Sequence, residues 1–251
     1  MHIFIPSSGR AHIQLTWNSL PEVLRKKTTL VVPNSQLQEY TRKGFPAIAD
    51  PGVPRIGVVR QWIAEHARED FVMLDDDLTF FMRRQDNPTL FKDATPQDIV
   101  EAFDDLATTL KTYAHASMGT REGGNRRTEY YIQDTRLLRV LGYNKKIFMK
   151  EKIRFDRLDV MEDFDVTLQL LTKGYSNMTL NYIVHNQKGS NQPGGCSLWR
   201  NPEMQEKGAY ELHSQYPDFV RVVKKFTKTA WFKGERTDVV VQWKKARNSH
   251  G

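Results

Sequence analysis

Residues Phe71–Phe81 (FVMLDDDLTFF) set three consecutive aspartates between two apolar runs. So short an apolar segment, followed at once by charge, reads as a buried strand that ends at a site. Three adjacent carboxylates repel one another, so either solvent or a bound cation must offset the repulsion. Carboxylate oxygens together with nucleotide phosphate are the ligands that Mg2+ or Mn2+ prefers. If strand alternation continues through the triplet, Asp75 and Asp77 share one side and Asp76 takes the other, an arrangement for one metal and one sugar or ribose contact. A solvated acidic turn is the competing reading. The flanking apolar runs weigh against it, because a surface turn seldom interrupts so hydrophobic a segment.

The chain of 251 residues is long enough to bury a substantial core, as one large domain or a domain with a small appendage. No apolar run reaches spanning length, and the start MHIFIP lacks the charged lead and long apolar stretch of a signal peptide. The single cysteine, Cys196, excludes an internal disulfide framework and a cysteine-based zinc site. These features predict a protein of the reducing cytoplasm, with no membrane association. The net charge is +7, and residues 221–251 carry nine Lys/Arg against Glu235 and Asp238, a surplus equal to the whole excess. Such asymmetry points to a polyanion, with nucleic acid ahead of an anionic membrane surface, or else to a solubilising surface.

Along the chain, His2–Pro6 reads as a short apolar strand that runs into Ser7–Arg10. There Pro6, Ser7, Ser8 and Arg10 are candidates to meet phosphate or base edges through backbone N–H groups and a guanidinium. A helix is expected over Leu15–Lys27, disturbed by Pro21. A strand is expected at Thr28–Pro33, a polar helix at Gln36–Lys43 and a third strand at Arg55–Val59. A helix beginning at Arg60 would then place that side chain where the helix dipole favours an anion, unless it is an ordinary surface residue. This alternation of strand and helix predicts a parallel α/β sheet, whose ligands sit beyond the carboxyl ends of the strands. Both Ser7–Arg10 and Asp75–Asp77 fall there.

Thr95, Pro96 and Asp98 form an approximate capping box ahead of Ile99, Phe103, Leu106, Leu110 and Tyr113 at helical spacing, a core helix without chemistry. Met118–Gly124 and the residues after it read as a glycine-rich loop in which Arg121, Arg126 and Arg127 can face a polyanion. A strand is expected at Glu129–Ile132 and a helical turn over Arg136–Gly142. Met161–Asp165 opens a helix ended by Gly174. Its acids are either dipole partners or include a general base whose carboxylate the helix N-terminus keeps ionised. Ser176–Asn186 reads as a strand ending at His185, a structural histidine or a third metal ligand. The loop Lys188–Gly195 can close over a substrate with Lys188 on phosphate. Glu203–Gln215 is expected to be helical. The tail interleaves Lys224, Lys225, Lys228 and Lys233 with Phe226, Trp231, Phe232 and Trp243, cations for a phosphate backbone and rings for unpaired bases. The same aromatics can instead pack the tail onto the domain.

In this order the pieces resemble a family-2-like glycosyltransferase of the GT-A fold. The resemblance rests on the early nucleotide strand, Gly57-Val58-Val59-Arg60 before a helix, Asp75–Asp77, Gly142-Tyr143, Glu162-Asp163, Lys173-Gly174-Tyr175 and a late His185, and it covers roughly Met1–Gly195. It implies an α/β, Rossmann-like, mostly parallel mixed sheet flanked by helices: a catalytic domain over residues 1–200 and a helical, basic extension over 201–251 packed on it. It also implies a UDP-sugar donor, Mn2+ or Mg2+, and inverting transfer. Asp77 would be the direct metal ligand, with Asp75 as ribose or second metal contact and His185 completing the set. Pro6, Ser7, Ser8, Arg10, Arg60, Asp76 and Lys188 would hold the nucleotide-sugar. Asp163 would be the acceptor base, with Glu162 as second choice.

The acceptor-helix motif with Gln, Arg and Trp is missing, which speaks against polysaccharide synthesis, and a late metal-binding histidine departs from family 2. Compact size, basic tail and His185 are more similar to the phage-type glycosyltransferases associated with ten-eleven-translocation dioxygenases. That narrower resemblance implies a monomeric enzyme of the infected host cytoplasm that glycosylates 5-hydroxymethylcytosine in DNA. Arg121, Arg126, Arg127, Lys224, Lys225, Lys228, Trp231 and Lys233 would then be nucleic-acid contacts. The alternatives are a glycan or protein acceptor, a nucleotidyltransferase, and a DNA-binding domain with a decayed site.

Overall fold

A computed structural model of the chain describes residues 1–187, 201–228 and 233–250. Lys188 and Trp231 lie outside these residues, as do the side chains of Lys228 and Lys233.

The first half alternates β1 (His2–Pro6), α1 (Leu15–Ser19), α2 (Glu22–Arg25), β2 (Thr28–Val32), α3 (Leu37–Arg42), β3 (Ala47–Ala49), α4 (Ile56–His66) and β4 (Phe71–Leu74). Strands β5 (Leu78–Arg83) and β6 (Phe91–Asp93), helix α5 (Pro96–Thr109), strands β7 (His115–Thr120), β8 (Tyr131–Gln133) and β9 (Val140–Tyr143), helices α6 (Lys145–Lys150) and α7 (Glu162–Thr172) and strand β10 (Asn177–Gln187) follow. The chain ends with α8 (Pro202–Gln215), the hairpin β11 (Val220–Lys228) and β12 (Lys233–Val241), and α9 (Trp243–Asn248).

The main sheet has the order β3-β2-β1-β4-β9-β7-β10-β5-β6, with β8 paired to β10. The β3-β2-β1-β4 half is parallel, and β9 enters antiparallel between β4 and β7. The strand order reverses between β1 and β4, so Ser7–Arg10 and Asp75–Asp77 leave adjacent carboxyl ends at the switch point, where open α/β sheets form their ligand crevice.

Each face of the sheet buries its own core. On one, Ile3, Ile5, Val72, Leu74 and Met118 meet Phe103 and Leu106 of α5. On the other, Phe71, Met73, Leu141 and Tyr143 meet Val59 and Ile63 of α4 and Val166 and Leu170 of α7. Full burial of each such side chain contributes about 1.5–3 kcal/mol. Helix α5 begins as its spacing predicts, with Thr95 and Asp98 in a complete capping box. The outer face of α7 (Phe164, Leu168, Leu171) packs against Ala209 and Leu212 of α8, Val239 of β12 and Ala246 of α9, while Trp243 lies 5.7 Å from Phe164. Trp243 thus works as packing, whereas Phe226 is exposed.

Four local expectations are corrected. Pro21 breaks Leu15–Lys27 into α1 and α2, as a proline without an N–H does inside a helix. The apolar run Arg55–Val59 is the first turn of α4, because Val59, Ile63 and Ala67 continue one buried helical stripe. Met118–Thr120 belongs to buried β7, so the basic loop starts only at Arg121. Residues Val140–Gly142 are strand, not helix. Gly142 sits between Val72 and Ala116 in the ladder, where a Cβ would lie 3.1 Å from the Ala116 carbonyl oxygen.

Candidate active site

The aspartate triplet is the turn from β4 to β5, so strand alternation does not govern it. The buried hydroxyl of Thr16 fixes the turn, donating to the Asp75 carbonyl at 2.5 Å and accepting from the Leu78 N–H at 2.8 Å. Asp76 and Asp77, rather than Asp75 and Asp77, share a partner: Arg10 Nη1 lies 2.5 Å from Asp76 Oδ1 and 3.2 Å from Asp77 Oδ2. Asp75 turns to Arg60 Nη2 at 2.9 Å. Burial pushes the Asp75 carboxyl up to about 6 against the pull of Arg60, and it also raises Asp76 against the pull of Arg10.

Ser7 and Arg10 are locked in place before any ligand arrives. Ser7 Oγ donates to Asp76 Oδ2 at 2.5 Å and lies 2.9 Å from Tyr40 Oη, and Gln14 Nε2 donates to it at 2.8 Å. Tyr40 Oη also accepts the Arg10 N–H at 3.1 Å. Pro6 and Ser8 flank Ser7 half-buried, and Gly9 turns the chain at a φ of +70°.

Arg60 lies in the second turn of α4 rather than at its start, and it is buried. Its Nη1 donates to Glu162 Oε1 at 2.5 Å, so one guanidinium ties the aspartate turn to the start of α7. Met161, which opens α7, holds a φ of +65°, a strained value for a side chain with a Cβ. The second oxygen of Glu162, Oε2, is buried without a hydrogen-bond partner. Asp163 accepts from Arg136 Nη2 at 2.9 Å, with the Arg136 guanidinium 3.9 Å over the Phe164 ring.

Strand β10 closes the site. Gln187 Nε2 donates to Asp77 Oδ2 at 2.8 Å, and His185 lies two residues upstream on the same face. His185 is fully buried, beside the Leu138 backbone carbonyl, and burial pushes it down to about 3, which keeps the imidazole neutral.

Among the described residues no three His, Cys, Asp or Glu side chains gather as a metal-holding group, so Asp75, Asp77 and His185 are not assembled as a three-ligand set. Arg60 draws Asp75 away. Asp77 has the right character: Oδ2 is held by Arg10 and Gln187, while Oδ1 is buried and without a hydrogen bond among the described residues, as are both ring nitrogens of His185. One open carboxylate oxygen fits a cation that takes its other ligands from phosphate and water, the usual habit of Mg2+.

The basic loop is tethered. Arg121 donates its N–H to the His185 carbonyl at 2.9 Å and stacks over Phe81 at 4.1 Å, and the buried Arg83 grips the Gly124 carbonyl at 3.2 Å. Arg126 and Arg127 remain exposed, Arg127 within 3.5 Å of Glu129. In the hairpin, Lys224 meets Glu206 at 2.8 Å and Lys225 meets Asp238 at 3.0 Å. Part of the tail's positive surplus is therefore offset by Glu206 of α8.

Reading the sequence missed Gln14, Thr16, Tyr40, Arg136 and Gln187. None stands in a motif; only Gln187, two residues after His185 in an alternating strand, carried a usable signal.

The description of the TET-associated glycosyltransferases matches residues 1–195. A curated relative, the beta-glucosyl-HMC-alpha-glucosyl-transferase of Enterobacteria phage T6, is 24% identical over 186 residues, 68% of this chain and 64% of its own length. The chain thus spans just under two thirds of that relative. Among solved structures, GalNAc-T7 with UDP, GalNAc and Mn2+ superposes with a TM-score of 0.52 at 9% identity, over 86% of this chain and 49% of its own. That likeness carries the GT-A fold. CMP:2-keto-3-deoxy-manno-octonic acid synthetase, with CTP, reaches a TM-score of 0.44 at 10% identity over 71% of this chain and 88% of its own.

Proposed function

The chain belongs to the TET-associated glycosyltransferase family, and from this we propose that it moves a sugar from a UDP-sugar to the hydroxymethyl group of 5-hydroxymethylcytosine in DNA. The observation that carries the reading is the Arg60 bridge, which sets Asp75 of the donor-side turn against Glu162 beside the acceptor-side Asp163. The donor's nucleotide lies along Ser7, Ser8 and Arg10 at the switch point, with Pro6 beneath it. Asp77 Oδ1 would hold Mn2+ or Mg2+, which when bound neutralises charge on the leaving diphosphate.

Asp163 takes the acceptor's proton, because it is the more accessible of the two acids: 13% of its side chain is exposed against 5% for Glu162. The acceptor oxygen bonds to the anomeric carbon, the bond from that carbon to the diphosphate oxygen breaks, and its electron pair leaves with UDP. Glu162 Oε2, open and buried, accepts a hydroxyl of the donor sugar. Arg121, Arg126 and Arg127 present charge to the DNA backbone beside the site. A base in duplex DNA must leave the stack for its hydroxyl to reach Asp163.

The name of the T6 relative supports a second reading, in which the acceptor hydroxyl belongs to a sugar already on the base. The test is transfer from a panel of UDP-sugars, with Mn2+ or Mg2+, to DNA carrying cytosine, 5-methylcytosine, 5-hydroxymethylcytosine or its glucosylated form, followed by mass analysis of the nucleosides. One added sugar only on 5-hydroxymethylcytosine supports the first reading, and one only on the glucosylated base supports the second. Donor hydrolysis with no gain on any DNA rejects the nucleic-acid acceptor.

A further inference from the structure

Arg139 stands immediately before antiparallel β9, whose first residue faces the last residue of β4, so it lies at the same end of the sheet as the aspartate turn. Its φ is +63°, and the Val140 N–H reaches back to the Leu138 carbonyl at 2.7 Å, which closes a three-residue turn around it. A positive-φ turn of this kind is rare, and an arginine held in it carries strain that a glycine would not.

The turn is wedged between two parts of the site. The Arg139 carbonyl accepts the Asp75 N–H at 3.0 Å, and the Leu138 carbonyl faces His185. The Arg139 charge lies close enough to act on both Asp75 and His185. Its acidic partner is a loose one: Glu122 Oε2 is 3.8 Å away on a side chain 83% exposed, whereas the Arg139 side chain is only 15% exposed. A pair of that length with one exposed partner contributes little and does not account for half-burying a charge on a strained backbone. Nor does Asp75 supply the missing partner, since Arg60 already holds it at 2.9 Å. A half-buried cation with so weak a partner, set beside the carboxylates of a ligand crevice, is arranged for an anion that arrives from outside.

We propose that Arg139 is a donor-binding residue whose guanidinium meets the diphosphate of the nucleotide-sugar. The proposal rests on the sugar-nucleotide reading above and adds a residue that no sequence motif marks. It divides the labour among the three arginines: Arg10 and Arg60 are committed to the aspartates, while Arg139 serves the ligand.

Binding of UDP and of UMP to the intact protein, by calorimetry at fixed Mn2+, tests it, with UDP–wild type as the reference. Arg139→Gly deletes the guanidinium, keeps the carbonyl that holds Asp75 and relieves the φ strain, so its Tm is expected to match or exceed that of the wild type. A charge-assisted contact of about 1.5–3 kcal/mol corresponds to a loss of roughly tenfold to a hundredfold in UDP affinity. UMP affinity is expected to fall far less, and Arg139→Lys to recover part of the loss. An unchanged ratio of UDP to UMP affinity in Arg139→Gly, or equal losses for both ligands without rescue by lysine, overturns the assignment while leaving the donor reading intact. If the wild type binds none of UDP, ADP, CDP or GDP in Mn2+ or Mg2+, the sugar-nucleotide reading fails and the role of Arg139 with it.

Discussion

Arg60 Nη1 lies 2.5 Å from Glu162 Oε1, a contact between residues 102 apart in the chain, with both side chains at most 8% exposed. Since the same guanidinium holds Asp75, the distance between the donor-side turn and the start of α7 is set by one side chain. Removing one member of a buried pair strands the other charge, at a cost of about 3–5 kcal/mol. Arg60→Met is therefore expected to lower stability by that order in denaturant unfolding. Arg60→Met combined with Glu162→Gln should recover much of it while transfer stays lost. Equal stability of the single and double variants would show that Glu162 does not depend on Arg60.

Asp163→Asn keeps a partner for Arg136 and removes the base. Turnover should fall about 10²–10⁴-fold with the Tm nearly unchanged. Near-wild-type turnover from this variant, beside a large loss in Glu162→Gln, would transfer the role to Glu162.

Asp77 is expected to couple divalent cation to nucleotide, because its Oδ1 is the open oxygen of the triplet. Wild-type affinity for UDP should drop when EDTA removes the metal, and Asp77→Asn should bind UDP about equally with or without Mn2+. A metal response that survives in Asp77→Asn would place the cation on other ligands.

Asp165, in the first turn of α7, gives the protein a pH-dependent stability. It is fully buried, accepts from Tyr216 and Gln169, and burial pushes its carboxyl up to about 6. The native state thus holds this proton more tightly than the unfolded chain, whose carboxyl titrates near about 4. Its stabilising contribution is full below that value and is lost as pH rises through about 6, by at most about 3 kcal/mol. Asp165→Asn cannot lose a proton, so its Tm relative to wild type should improve from pH 4 to pH 7. A constant Tm difference across that range would contradict the account.

Ser7–Arg10 and Asp75–Asp77 stand out in the bare sequence because each is a polar break at the end of an apolar run, and Glu162-Asp163 because acids open a helix there; local contrast is what a sequence displays. Strands β1, β2 and β4 of the parallel half followed from the same contrast, as did the capped helix α5, whereas β3 lies in a stretch that reads as a loop and the strand expected at Arg55–Val59 is helix. The pairing of the acids was not legible there. Asp76 joins Asp77 on Arg10, and Asp75 joins Glu162 on Arg60, because a turn freed the triplet from strand alternation and α4 began four residues earlier than its charged face suggests. Thr16, Tyr40 and Arg139 carry no local mark, since each acts through a partner dozens of residues away. The sequence alone determined where chain ends of opposite character would place chemistry at one edge of the sheet. Only the packing of distant elements decided which cation holds which carboxylate, because an ion pair is fixed by distance in space, and distance in space is a property of the folded chain.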